Sequence, residues 1–176
     1  MEISRFWQKI TSFRREDLAG SLCSKYRTPL SWLYLLRDEI DELIEAHGTA
    51  AARVRKGGLD GVELLSAFGY LPAAFLSPYS NTRQDAYGGS LENRSRFANE
   101  VIADIRDAVG DTMAIALRVS LDETIGDLGF SNAEVRDFVE MNRNLPDIWD
   151  LAHGAWEDCS GPSRFKDEAA QHELVK

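Results

Sequence analysis

The sequence predicts an α/β fold, a parallel layer or a barrel segment of about three βα units, on three observations. Three short runs, residues 59–65 (LDGVELL), 113–120 (MAIALRVS) and 147–152 (DIWDLA), have the length and apolar character of buried strands. The stretches between them place apolar residues at helical spacing, and strands joined by helices make right-handed parallel crossovers. The chain has 176 residues, whereas eight such units closed into a barrel take about 250. These residues are therefore expected to supply part of such a barrel, not all of it.

Taken in order, residues 1–36 carry Phe6, Trp7, Ile10 and Phe13 at helical spacing, then Leu18 and Leu22, then an apolar cluster after Pro29, and predict two short helices. Residues 38–56 predict a longer helix, because Ile40, Leu43, Ile44, His47, Ala51 and Val54 recur on one face. Acids crowd its first turn and bases its last, as the helix dipole favours, and Gly57 and Gly58 end it. After the first strand, residues 77–90 are a long polar loop rich in Ser, Asn, Tyr and Gly. Residues 91–109 form the next helix, with Phe97, Val101, Ile105 and Ala108 on a stripe and Gly110 as its stop. Ser131 and Glu134 have capping-box spacing and open a third helix running to about Asn144, which Pro146 breaks before the third strand. Residues 167–176 begin a further helix.

A hydrophobic share of 44% gives the chain enough apolar side chains for a core of its own. Lys plus Arg number 20 against 29 for Asp plus Glu, a net charge of −9, which excludes nucleic acid and anionic membrane surfaces as the main partner. No apolar run approaches the roughly 20 residues of a membrane helix. Residues 1–15 lack the continuous apolar stretch of a secretory signal, so a cytoplasmic protein is expected. Cys23 and Cys159 stand alone, without Cys-x-x-Cys or histidine spacing, and predict neither a disulfide nor a metal or iron–sulfur site.

In parallel βα units ligands bind at the C-terminal ends of the strands, which turns attention to residues 66–90, 121–130 and 153–166. His153 stands at the third strand's end, a position suited to acid/base work. Trp149 and Trp156 offer aromatic walls and cation–π contact to an ammonium ligand, or else pack in the core. Asp122, Glu123 and Asp127 line one loop and either hold an amine cation or stay solvated. His47 and His172 read as structural or exposed. On physical grounds alone the loop 75–96 (FLSPYSNTRQDAYGGSLENRSR) is rigid, its charges serving one another.

Residues 60–97, DGVELLSAFGYLPAAFLSPYSNTRQDAYGGSLENRSRF, closely resemble the signature of the Old Yellow Enzyme-like family of NADH:flavin oxidoreductases. Residues 149–165, WDLAHGAWEDCSGPSRF, look most like its amine dehydrogenase branch, which holds trimethylamine, dimethylamine and histamine dehydrogenases and N-methyl amino acid demethylases. The resemblance implies a partial (β/α)8 TIM barrel over residues 38–176, supplying the fourth to sixth strands, behind a divergent helical segment at 1–37. It implies FMN as cofactor, with an amine or NAD(P)H as hydride donor, and a chain truncated relative to the family.

By the same resemblance Arg118 matches an arginine that faces the flavin, where a guanidinium stabilises negative charge on the reduced ring; its alternative is an ion pair with Asp122 or Glu63. Tyr70 matches a tyrosine that often donates a proton, its alternative being a rim residue under the loop. The family's pair of hydrogen-bonding substrate residues falls on Leu65 and Phe68, which cannot donate to a carbonyl oxygen. Reduction of enoates is thereby disfavoured. Oxidation of a small-molecule amine is less affected, since it needs an apolar enclosure holding a C–H near the flavin, and Phe68 with the two tryptophans would wall it. The competing expectation is a non-catalytic remnant whose open sheet edges pair into a homo-oligomer.

Overall fold

The computed structural model describes residues 35–154. The helices expected at 1–34 and 167–176, together with Trp156 and the Gly161–Phe165 end of the amine-dehydrogenase-like motif, lie outside the described residues.

Helix α1, Arg37–Lys56, opens with Asp38 and Glu39 in its first turn and closes with Arg53, Arg55 and Lys56 in its last, at Gly57. Its first free amide is satisfied because Leu36 N donates to the Glu39 carboxylate at 3.0 Å. Ile40, Leu43, Gly48 and Ala51 form the buried stripe. Strand β1, Gly61–Ser66, begins two residues later than the sequence suggests. The reason is local: Leu59 N still donates to Val54 O at the end of α1, and pairing starts where Asp60 O accepts from Ala114 N at 3.0 Å.

Helix α2, Leu71–Leu76, was not anticipated. It is six residues long, apolar all round and buried from Pro72 to Leu76, so no polar face gives it a period. Helix α3, Leu91–Val109, is capped by the Ser90 hydroxyl, which accepts from Asn93 N, and ends at Gly110 with φ 69°. Strand β2 is Ala114–Ser120. After a 3-10 turn at Gly126–Leu128, helix α4 spans Asn132–Met141, with Ser131 accepting from Glu134 N. It stops short of Asn144 because the Asn142 side-chain amide and backbone N–H both take Phe138 O. Strand β3 is Ile148–Ala152.

The strands make one parallel sheet in the order β1-β2-β3, with Leu65 opposite Arg118 and Arg118 opposite Asp150. The two faces differ in character. Leu64, Ile115, Leu117 and Val119 point toward the helices and join Ile40, Phe97, Val101, Ile102 and Ile105 in the core. Alternation then puts Glu63, Leu65, Ala116, Arg118, Ser120 and Asp150 on the face turned away from them. Helices α1 and α3 pack on each other on the core side.

The loop from Ser77 to Ser90 is held by its own polar groups. Buried Asn81 donates through Nδ2 to Phe75 O at 2.6 Å and to Tyr87 O at 2.7 Å. Buried Arg94 donates to Gly89 O at 3.1 Å, to Leu76 O and to the Glu134 carboxylate. Tyr87 OH donates to Glu100 at 2.6 Å, and burial with that carboxylate beside it pushes the phenol well above its usual range. Of the charges expected to serve each other, Arg83 pairs with Asp85 inside the segment, whereas Arg94 reaches out of it to Glu134 of α4.

Candidate functional site

The C-terminal ends of the three strands are tied together by one hydroxyl. Ser120, buried at the end of β2, accepts from Phe68 N at 3.4 Å and donates to Gly154 O at 3.1 Å, so it bridges the segments that follow β1 and β3. Two backbone bonds reinforce the junction: Leu121 N donates to Ala152 O at 2.8 Å and Gly154 N to Asp122 O at 2.9 Å. Leaving β1, the chain turns through Phe68 at φ 57° and Gly69 at φ 71°. For phenylalanine the left-handed region is costly, and such conformations gather at functional sites. Tyr70 follows, exposed, as the residue that opens α2.

His153 leaves β3 half-buried, with its Nδ1 enclosed and without a hydrogen-bond partner among the described residues.

Arg118 lies on the inner face, two residues before the end of β2. Its Nη2 and Nε approach Asp150 Oδ2 at 2.5 and 2.7 Å, and its Nε lies 3.6 Å from Glu63 Oε1. The side chains of Glu63, Asp150 and Arg118 are 10%, 24% and 30% exposed. Burial raises the Glu63 carboxyl to about 7; the charge of Arg118 opposes this rise and the Asp150 carboxylate adds to it. Of the ion pairs the sequence suggests for Arg118, the structure contains the one with Glu63. Asp122 instead accepts from Thr124 N at 2.6 Å.

The structure thus gathers Phe68, Tyr70, Arg118 and His153 at or near one end of the sheet. Trp149 stands apart from them. It belongs to the helix-facing side, edge-on to Phe138 with centroids 5.8 Å apart, which is the core-packing alternative for that tryptophan. Glu123 also has a structural task, accepting from Ser77 Oγ at 2.5 Å and from Phe130 N at 2.6 Å, whereas Asp127 is exposed. Concavities lined by Asn144 and Leu145 sit beside the chain entering β3, at the opposite end of the sheet.

Asp150 and Ser120 escape a reading by sequence alone. The available signal is period two. Glu63, Arg118 and Asp150 are the charged residues of otherwise apolar strands, and counting each strand in alternation puts all three on one face.

A profile of the NADH:flavin oxidoreductase / NADH oxidase family matches residues 22–175. An NADPH dehydrogenase of Clostridium acetobutylicum is 41% identical over 120 residues, which are 68% of this chain and 35% of that one. A dimethylamine dehydrogenase of Hyphomicrobium is 37% identical over 144 residues, 79% of this chain and 19% of that one. Among solved structures, histamine dehydrogenase from Rhizobium sp. 4-9 is 62% identical, covers 81% of this chain with a TM-score of 0.75, and has 21% of its own length matched. The chain therefore spans about a third of the first of these relatives and about a fifth of the other two.

Proposed function

The chain belongs to the NADH:flavin oxidoreductase / NADH oxidase family, its three parallel strands and helices forming part of an α/β barrel, and from that premise we propose that it serves an FMN-dependent oxidoreductase acting on a small amine. The observation that carries this reading is the 62% identity with histamine dehydrogenase over 81% of the chain. The replacement of the family's polar substrate pair by Leu65 and Phe68 supports it further, because an amine's α-carbon needs enclosure more than a hydrogen bond.

FMN, when bound, accepts the hydride. The residues present fit such a group: the Arg118 side chain is partly accessible on the inner face, and His153 holds a buried Nδ1 with no partner among the described residues at the strand ends. Arg118 supplies positive charge where negative charge gathers on a reduced ring. Phe68, fixed by its N–H on Ser120, presents an aromatic wall at the mouth of the sheet, and Trp156 is assigned a second wall. Tyr70 and His153 would hold or move a proton, His153 being the better sheltered from water. Trp149, committed to Phe138, supports β3 from behind.

The test is the visible spectrum of the purified chain passed through a desalting column with FMN, followed by addition of an amine or NAD(P)H. Retained flavin that bleaches with an amine under anaerobic conditions is the expected result, and a colourless eluate overturns the reading for this chain. The second reading, a non-catalytic unit that self-associates, is favoured by β1 and β3, which each keep one unpaired edge among the described residues.

A further inference from the structure

The register surrounds Arg118 with acids of unequal standing. Asp150 lies directly opposite it on β3, while Glu63 sits on β1 one pleat nearer the strand start. An arginine side chain has several rotamers of similar energy, so its direction is decided by whichever acceptor holds it. Asp150 holds it by both Nε and Nη2, at 2.7 and 2.5 Å. Glu63, at 3.6 Å from Nε, is beyond hydrogen-bond distance, and its other oxygen, Oε2, is buried with no hydrogen-bond partner among the described residues. Two carboxylates and one guanidinium leave one negative charge in excess, in a place where Glu63 is almost out of water. The remaining inner-face positions of the three strands include Leu65, Ala116, Ser120, Ile148 and Ala152, so no other titratable group of these strands shares the cluster.

We propose that Asp150 is a positioning residue that fixes the direction of the Arg118 guanidinium, and that Glu63 is a competing acceptor which, when ionised, draws the guanidinium away from Asp150. Arg118 then has two settings: one in which Glu63 carries a proton and, of the two acids, Asp150 directs it, and one in which both acids share it. The proton on Glu63 moves between its carboxyl and solvent, with no other bond made or broken. The significance for flavin rests on the function proposed above, whereas the geometry of the cluster does not.

The test uses the full chain, isotopically labelled, and follows the Nε–H resonance of Arg118, identified by its disappearance in Arg118→Lys. In the wild type this hydrogen is expected to exchange slowly with water near pH 6, and its position is expected to move between about pH 6 and about pH 8 as Glu63 ionises. Asp150→Asn should speed its exchange by roughly tenfold or more while the backbone amides stay dispersed, and Asp150→Glu should restore part of the protection. Glu63→Gln should keep the slow exchange and abolish the movement with pH. Unchanged exchange in Asp150→Asn, or a pH-dependent movement that survives Glu63→Gln, overturns the proposal; if Asp150→Asn does not fold, the Glu63→Gln result decides alone. FMN affinity measured on the same proteins separates the two readings. A wild-type chain that never binds FMN removes the proposed function, yet leaves the resonance to decide the roles of Asp150 and Glu63.

Discussion

Asn81 and Glu63 illustrate two ways in which a buried polar side chain is tolerated. Asn81 is satisfied by two carbonyls, Phe75 O and Tyr87 O, so Asn81→Ala leaves both without a donor and should cost about 2 to 3 kcal/mol, read from urea denaturation. Glu63 is tolerated by holding a proton. Its native pKa of about 7 lies above the ordinary 4.5, so its favourable contribution is complete below about 4.5 and is lost as pH rises through about 7. Glu63→Gln, permanently neutral, should therefore gain in Tm relative to wild type as pH rises from about 6 to about 8. Parallel Tm curves for the two proteins over that range would rule this out. Neither role is legible in the sequence: Asn81 is one polar residue among many in its loop, Glu63 a lone charge in an apolar run, and only the folded chain reveals what each faces. Arg118 is a candidate through the resemblance alone, and its acidic surroundings were legible only in part, through Glu63.

At the scale of the element, what could be read was what repeats or is capped. Helices α1 and α3 announce themselves by stripes, terminal charges and glycine stops, and their observed bounds follow those signals closely. Helix α2 has neither stripe nor cap; it forms because Pro72 suits a first helical turn and the core receives Phe75 and Leu76. The loop after it depends on a close backbone approach at Gly88, where a Cβ would stand 2.1 Å from Arg83 O. Gly88→Ala should therefore destabilise by about 1 to 3 kcal/mol, because backbone must move. Gly48 makes the contrast: its Cβ would meet the carboxylate end of Asp104, which can swing aside, and would stand 3.1 Å from Asp104 O, which has to give by only a few tenths of an ångström, while alanine is the better helix former. Thermal melts should place Gly48→Ala within about 1 kcal/mol of wild type, well above Gly88→Ala. Arg94 links α2, the loop and α4 through Leu76 O, Gly89 O and Glu134, and Arg94→Ala, which leaves two carbonyls without their donor, should cost about 2 to 3 kcal/mol in the same assay.

For the molecule as a whole, the parallel α/β class was legible because three apolar runs alternate with amphipathic stretches, and a chain built that way has few topologies open to it. The side of the sheet on which each residue falls was not, since that depends on where pairing begins. Trp149 is the example. Its sequence allows a substrate wall or a core residue, and since its neighbour Asp150 takes the inward position, the indole lies against Phe138. Among the described residues no helix is long and apolar enough to cross a membrane. The edges of β1 and β3 that stay open among the described residues should make the chain associate, so light scattering at rising concentration is expected to give a mass above 19.7 kDa. A constant mass of one chain would mean that these edges are covered by residues of the same molecule.

Ser120 has a consequence for anyone who would redesign this scaffold. Barrels of this kind are usually treated as modular, each loop exchangeable without regard to the next. Here one hydroxyl clasps the exit of β1 to the exit of β3 across β2. A loop grafted after any one strand would have to reproduce that clasp or disturb the other two, so the three exits form a single heritable unit, and variation at the mouth is expected to come in sets of three.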